Sequence, residues 1–259
     1  MIIALGFLAA IAYALAARRA SRAVAGSAWT PVALMAHAVV LYHAIVHGQR
    51  LEFGTIGALS LLAWQAAALQ WLFCLRENLH ALSPVHYGVA ALLALAAGVL
   101  PMSGNAIPID DWQIGVHIVF SILSAGLMTL AAVQAVALMV LDQMLREPGR
   151  LSQARRMPPL QTMETLLFRQ IAVGFFLLSL VILSGLLFVH NLFSQHLLQK
   201  TLLTIGAWLM FGVLLWGRMR YGWRGRTAIR WTLSAYVTLI AAYFGSKLVL
   251  EQFLGIHWT

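Results

Sequence analysis

The chain has 259 residues, 61% of them hydrophobic and only 10% charged, against roughly a quarter charged in an average soluble domain. No water-soluble packing of one or two domains hides that much apolar surface, so the solvent around most of the chain is lipid. The formal net charge of +9 comes from short basic clusters set between hydrophobic runs, which is a pattern of membrane orientation and not of a nucleic-acid-binding face; the single cysteine, Cys74, excludes a disulfide framework and a CxxC redox pair.

The N-terminal "MIIALGFLAAIAYALAARRASR" places its arginines after the apolar run. A secretory signal places them before it, so the segment reads as a retained first span. Runs of roughly 17 to 25 apolar residues are long enough to cross about 30 Å of hydrocarbon. Eight occur, at about 2–17, 29–47, 55–75, 84–102, 113–141, 166–190, 200–217 and 229–250. Each is predicted to be helical, because lipid offers no partner to an unpaired backbone group. The fifth is too long for a perpendicular crossing and is expected to tilt or to project into water. Between the fifth and sixth, residues 142–165, "DQMLREPGRLSQARRMPPLQTMET", read as a cytoplasmic loop in which Pro158-Pro159 blocks helix continuation. No repeat or extramembrane domain is visible. Residues 1–259 are expected to form a single transmembrane domain, an all-α polytopic membrane helix bundle of about eight transmembrane helices.

Orientation follows from the basic residues. With both termini outside the cytoplasm, 14 of the 17 lysines and arginines fall on the inner side, all but Arg50, Lys200 and Lys247. The opposite orientation reverses that ratio, and the positive-inside rule selects the first. The densest cluster, "RMRYGWRGR" at 218–226, then anchors the seventh and eighth spans at the cytoplasmic face.

The chain carries no Walker loop, no GxSxG and no HExxH, and no enzymatic activity is expected of it. Histidines are the informative residues. His47, His196 and His257 fall outside, and His43, His117 and His190 fall within about a turn of the outer surface, so six of the nine gather at one membrane face. Neutral imidazole is the commonest side-chain metal ligand and binds haem iron axially. His43 and His47 are four apart, a spacing that puts both on one helical face. His37 lies mid-span and needs a buried partner, which makes packing its expected role. His80 and His86 flank a cytoplasmic loop and are expected to be solvated or interfacial. His117, in "DDWQIGVHIVFSILSAG", stands about one turn inside an apolar helix behind Trp112, and spacing alone leaves ligand and structural roles open.

Three stretches carry a family resemblance. "DDWQIGVHIVFSILSAG" resembles the segment of the CcsA/CcmC-type cytochrome c assembly family in which a tryptophan shortly precedes a histidine opening an outer-facing helix. "GWRGR" at 222–226 is similar to that family's basic cytoplasmic turn, and "AAYFGSKLVLEQFLGIHWT" resembles its ending, where a helix runs out to an external histidine. The resemblance covers about residues 50–257 and, with "MPPLQTMETLLF", looks closest to the YpjD/HemX-like inner-membrane branch.

The resemblance implies a multi-pass bacterial inner-membrane protein that holds haem b non-covalently near the periplasmic face, in contact with the lipid bilayer and with other membrane assembly proteins. Carried over by position, His117 and His257 would be the axial ligands to haem iron, with His190 or His196 as substitutes and Trp112 beside the site. Two family features are missing. The expected tryptophan-rich loop reads "VHNLFSQHLLQK", and the histidine that family members carry six residues before "GWRGR" is Trp216. An indole N–H cannot ligate iron, so an internal haem relay and delivery to an apoprotein are not expected. The alternative is a non-catalytic HemX-like scaffold or regulator of tetrapyrrole metabolism that no longer binds haem.

Overall fold

The computed structural model describes residues 2–21, 28–47, 50–75, 80–100, 105–108, 112–154, 157–188 and 195–242. They fall into two compact units, residues 1–111 and 112–259. The first contains helices α1 (Ile2–Ser21), α2 (Trp29–Ile45), α3 (Thr55–Cys74) and α4 (Ser83–Val99). The second contains α5 (Trp112–Arg146), the one-turn α6 (Leu151–Ala154), α7 (Leu160–Phe188), α8 (Gln195–Tyr221) and α9 (Arg226–Ile240). Six helices among the described residues are long and apolar enough to cross a membrane, and α2 is a shorter apolar one. Helix α9 covers the first part of the eighth predicted span, whose residues 243–250 lie outside the described residues, so each predicted span holds a helix. The chain is a polytopic all-α membrane protein.

The first unit is built on small side chains. Its core consists mainly of Ala9, Ala12, Ala16, Ala33, Ala63, Ala67, Ala90 and Ala94 around Tyr13 and Tyr87. The large apolar side chains point the other way: Met35 and Leu92 are 68% and 71% exposed. Lipid solvates such a surface as well as a protein core does, so association depends on close packing between small residues. Gly6 of α1 and Gly98 of α4 show this most directly. A Cβ on Gly98 would stand 3.1 Å from the Gly6 Cα and 3.4 Å from the Ile2 carbonyl oxygen. Gly98→Val is therefore expected to push α1 from α4 and lower stability by about 1–3 kcal/mol. Thermal unfolding in detergent reads that loss, and an unchanged midpoint would show that the contact is not tight.

Three short strands, which the hydrophobic runs gave no sign of, join the loops of this unit: β1 (Val46–His47), β2 (Arg50–Phe53) and β3 (Asn105–Pro108), antiparallel in the order β1-β2-β3. Their backbone pairs across the ladder, Val46 opposite Leu51 and Leu51 opposite Ile107. Helix α2 consequently stops at Ile45, where Val46 turns to φ −98° and ψ 111°. This breaks the helical i, i+4 relation expected for His43 and His47.

In the second unit α5 and α7 run antiparallel, and their contacts fix the register. From one end to the other, Trp112 meets Phe188, His117 meets Ser184, Ser124 donates to the Gly174 carbonyl and Gln134 donates to the Met163 carbonyl. At Gly174 the helices approach closely: an added Cβ would lie 2.7 Å from the Met128 Cε and would make that side chain move. The 35 residues of α5 span roughly 52 Å at about 1.5 Å per residue, well beyond about 30 Å of hydrocarbon. The fifth span is thus longer than a perpendicular crossing requires, as its apolar run implied. It takes part of the predicted 142–165 loop into helix, and α7 reclaims more from Leu160 onward. Only the stretch around the one-turn α6 and Pro158-Pro159 remains as connection.

Candidate functional site

His117 sits on the second turn of α5, and its ring is oriented by α7. The Ser184 hydroxyl lies 3.1 Å from the Val181 carbonyl and 2.9 Å from His117 Nδ1. When it donates to Val181 it accepts from His117, whose proton is then on Nδ1. In that tautomer Nε2 carries a lone pair with no hydrogen-bond partner among the described residues. The ring packs close to Gly185, where an added Cβ would come 3.4 Å from the His117 Cε1. Imidazoles that bind metals are held in this way, with one nitrogen fixed by an acceptor and the other presented. Trp112, 70% exposed, lies at the same end of the unit with its ring 6.1 Å from that of Phe188. Lys200 of α8 is near enough to act on the His117 ring electrostatically.

The other histidines divide sharply. His190 and His257 lie outside the described residues, and His196 is on α8 with its side chain likewise undescribed. His43 is exposed on α2, edge-on to Tyr42. His37 is fully buried and engaged at both nitrogens, 3.3 Å from the Tyr13 hydroxyl and 2.8 Å from the Ser60 hydroxyl. That is the packing role expected of it. His86, expected at an interface, is instead 4% exposed. Its Nδ1–H donates to the Leu82 carbonyl at 3.1 Å, and its place in the first turn of α4 carries it into the unit. Its Nε2 is buried without a hydrogen-bond partner among the described residues.

The opposite end of the second unit is basic. His117 and Asp142 are 25 residues apart on α5, roughly 38 Å at about 1.5 Å per residue, so the two ends stand at different membrane faces. Asp142 binds Arg146 at 3.1 Å and Arg226 at 3.2 Å, tying α9 to α5. Glu164, buried in the first turns of α7, accepts the Gly225 N–H at 2.7 Å where α9 begins, a favourable place for negative charge beside a helix N-terminus. Trp216, at the position where the family carries a histidine, is 55% exposed and packs edge-on against Tyr221 at 5.3 Å.

The sequence reading missed Ser184, because a lone serine 67 residues away gives no local signal. Among the described residues no group of three or more histidine, cysteine or acidic side chains is arranged to hold a metal ion. One oriented imidazole and an aromatic pair at a helix end fit a ligand that brings most of its own donors, such as a metal macrocycle, better than a bare cation.

Residues 25–254 match the model of a protein family described as "Cytochrome C assembly protein". The chain is 32% identical over 224 residues to "Inner membrane protein YpjD" of Escherichia coli strain K12, an alignment covering 85% of this chain and 84% of that protein. It is 29% identical over 210 residues to an "Uncharacterized 28.8 kDa protein in nifR3-like 5'region" of Azospirillum brasilense, covering 79% of this chain and 72% of that one. No solved structure matches.

Proposed function

Because this chain belongs to the cytochrome c assembly protein family and is a multi-pass inner-membrane protein, we propose that it holds haem b non-covalently near the periplasmic face, with His117 as an axial ligand. One observation carries the reading: Nδ1–H of His117 is held by Ser184 and Nε2 is left to donate its lone pair. Haem would supply an iron that takes such a nitrogen along its axis. Ser184 holds the tautomer, Gly185 leaves room for the ring, and Trp112 with Phe188 offers an aromatic wall at the same helix end. The second axial imidazole is assigned to His257, with His190 or His196 in its place if that assignment fails. The protein is an accessory that holds and presents haem and performs no covalent chemistry on it.

A visible spectrum tests this directly. Wild-type protein purified in detergent with haem supplied is expected to show a Soret band, and His117→Ala to abolish it. Ser184→Ala should keep the band but lower haem affinity about tenfold, the usual effect of removing a partner that orients a ligand. A band unaltered in His117→Ala would remove the assignment.

A second reading, a HemX-like scaffold or regulator of tetrapyrrole metabolism without haem, is favoured by one feature. Trp216 and the loop "VHNLFSQHLLQK" supply neither the internal histidine nor the tryptophans of a haem-transferring relative. It requires a colourless protein and a partner at the basic end, lost on reversing the charge of Arg224. Reversal at Arg226 is the poorer probe, since that residue also binds Asp142.

A further inference from the structure

The basic turn between α8 and α9 carries more charge than the fold consumes. Arg218 donates to the Trp223 carbonyl at 3.1 Å and lies 4.6 Å above the Phe168 ring. Arg226 is held by Asp142. Arg220, Arg224 and Arg230 are exposed, and none makes a hydrogen bond or an ion pair among the described residues. No acid occurs anywhere in residues 218–230. The acids that approach the turn, Asp142 and Glu164, are already taken by arginines and by the Gly225 N–H.

The same turn carries a continuous row of aromatic rings. Trp216 meets Tyr221 at 5.3 Å, Tyr221 stacks with Trp223 at 6.4 Å, and Trp223 stacks with Trp231 at 5.7 Å. Three of these, Trp216, Tyr221 and Trp223, come within the last two turns of α8 and the link to α9. The backbone that sets them is not a loose loop. Gly222 and Gly225 hold left-handed conformations, φ 66° and 57°, and Gly222 N–H and Trp223 N–H close onto the Arg218 and Gly217 carbonyls, each at 3.2 Å.

Unspent guanidinium groups beside indole rings, at the basic end of a bundle, match one chemistry. Guanidinium takes phosphate oxygens in a bidentate fork. Tryptophan and tyrosine settle at the level of lipid headgroups. Met219, Tyr221 and Trp216 are 80%, 61% and 55% exposed, apolar surface at the end of a membrane-spanning helix that lipid beside the turn covers. The charge asymmetry places this end on the cytoplasmic side, the leaflet whose anionic lipids attract basic segments beside the membrane. We propose that the α8–α9 turn is a binding site for the headgroup of an anionic phospholipid, with Arg220, Arg224 and Arg230 as its phosphate ligands and the Trp216–Tyr221–Trp223 row as its interfacial platform.

The test places the full-length protein in nanodiscs of phosphatidylcholine containing a minor fraction of phosphatidylglycerol or cardiolipin brominated on the acyl chains. Quenching of tryptophan fluorescence then reports which lipid sits against the rings. Wild type is expected to be quenched far more by brominated anionic lipid than by brominated phosphatidylcholine at equal fraction. Each arginine changed to glutamine should lower that preference about fivefold, the effect of roughly one cationic side chain near a charged surface. Arg220→Lys/Arg224→Lys/Arg230→Lys, which keeps the charge and loses the bidentate forks, should retain only part of it. If the triple glutamine variant does not fold, Arg224→Gln alone, at the exposed turn, gives the same readout. Equal quenching by the two lipids in wild type, or a preference unchanged in the glutamine variants, overturns the proposal. So does a preference abolished by an acidic peptide at physiological salt, which would assign the surface to a protein partner.

Discussion

Replacing His37 with alanine is expected to destabilise the first unit by about 2–5 kcal/mol, through a cavity and a stranded hydroxyl together. The hydrogen bonds around this residue form one self-consistent set of directions. The Ser60 hydroxyl donates to the Leu93 carbonyl at 3.1 Å, so it can only accept from His37 Nε2 at 2.8 Å. With its proton on Nε2, the ring offers Nδ1 as an acceptor, and the Tyr13 hydroxyl must donate to it at 3.3 Å. One chain of polar groups thus passes from α1 through α2 and α3 to α4. Without the imidazole, Ser60 keeps its donated bond, but the Tyr13 hydroxyl, on a fully buried side chain, keeps none. Hydrogen bonds between membrane helices average only about 0.6 kcal/mol; the expected loss therefore comes mostly from the cavity and the orphaned donor. A double-mutant cycle separates these. Tyr13→Phe/His37→Ala should cost about 1–2 kcal/mol less than the sum of the single variants, because the phenylalanine leaves no donor to strand. Thermal unfolding in detergent measures all three, and strict additivity would show that the Tyr13–His37 contact carries no coupling.

That network also marks what sequence can and cannot reveal. The span from about 55 to 75 was legible nearly to the residue, and α3 runs Thr55–Cys74, because bilayer thickness sets the length of an apolar run directly. The same constraint says nothing about backbone beyond the hydrocarbon. There the sheet formed, and α5 and α7 extended past their apolar stretches. His37 declared its need for a partner simply by being polar in mid-span. Which residues answer that need, Tyr13 and Ser60, depends on helix rotation, and the alanine-rich helices of this unit have too little amphipathic bias to encode it. His117 is the functional counterpart. Its place at a helix opening behind Trp112 was readable, and the resemblance gave it a role. The tautomer that leaves Nε2 available is set by Ser184 and the Val181 carbonyl, two residues of another helix. His86 went the other way: a histidine next to a predicted loop lies buried in the first turn of α4, because helix rotation, which the apolar run does not encode, turns it into the unit.

Gly217→Ala should have the larger effect on the second unit, although it adds a single methyl group. The Trp223 ring folds back over this glycine, and an added Cβ would stand 2.5 Å from Trp223 Cδ2 and 2.8 Å from Cζ3, with Cε3 closer still. The indole cannot withdraw freely. Trp231 stacks on it at 5.7 Å, and its own backbone is held, with Trp223 N–H donating to the Gly217 carbonyl at 3.2 Å and its carbonyl accepting from Arg218 at 3.1 Å. Relief therefore requires the turn itself to move. Overpacking of this kind costs about 1–3 kcal/mol, and here it also displaces the start of α9, where Gly225 meets Glu164. A lower unfolding midpoint and faster proteolysis within 218–226 are both expected. In a Trp223→Ala background the clash is gone, so adding Gly217→Ala there should cost little further stability. If alanine at 217 left the midpoint unchanged, the indole would have another place to go, and the turn would be a flexible link instead of the rigid platform that the anionic-lipid site requires.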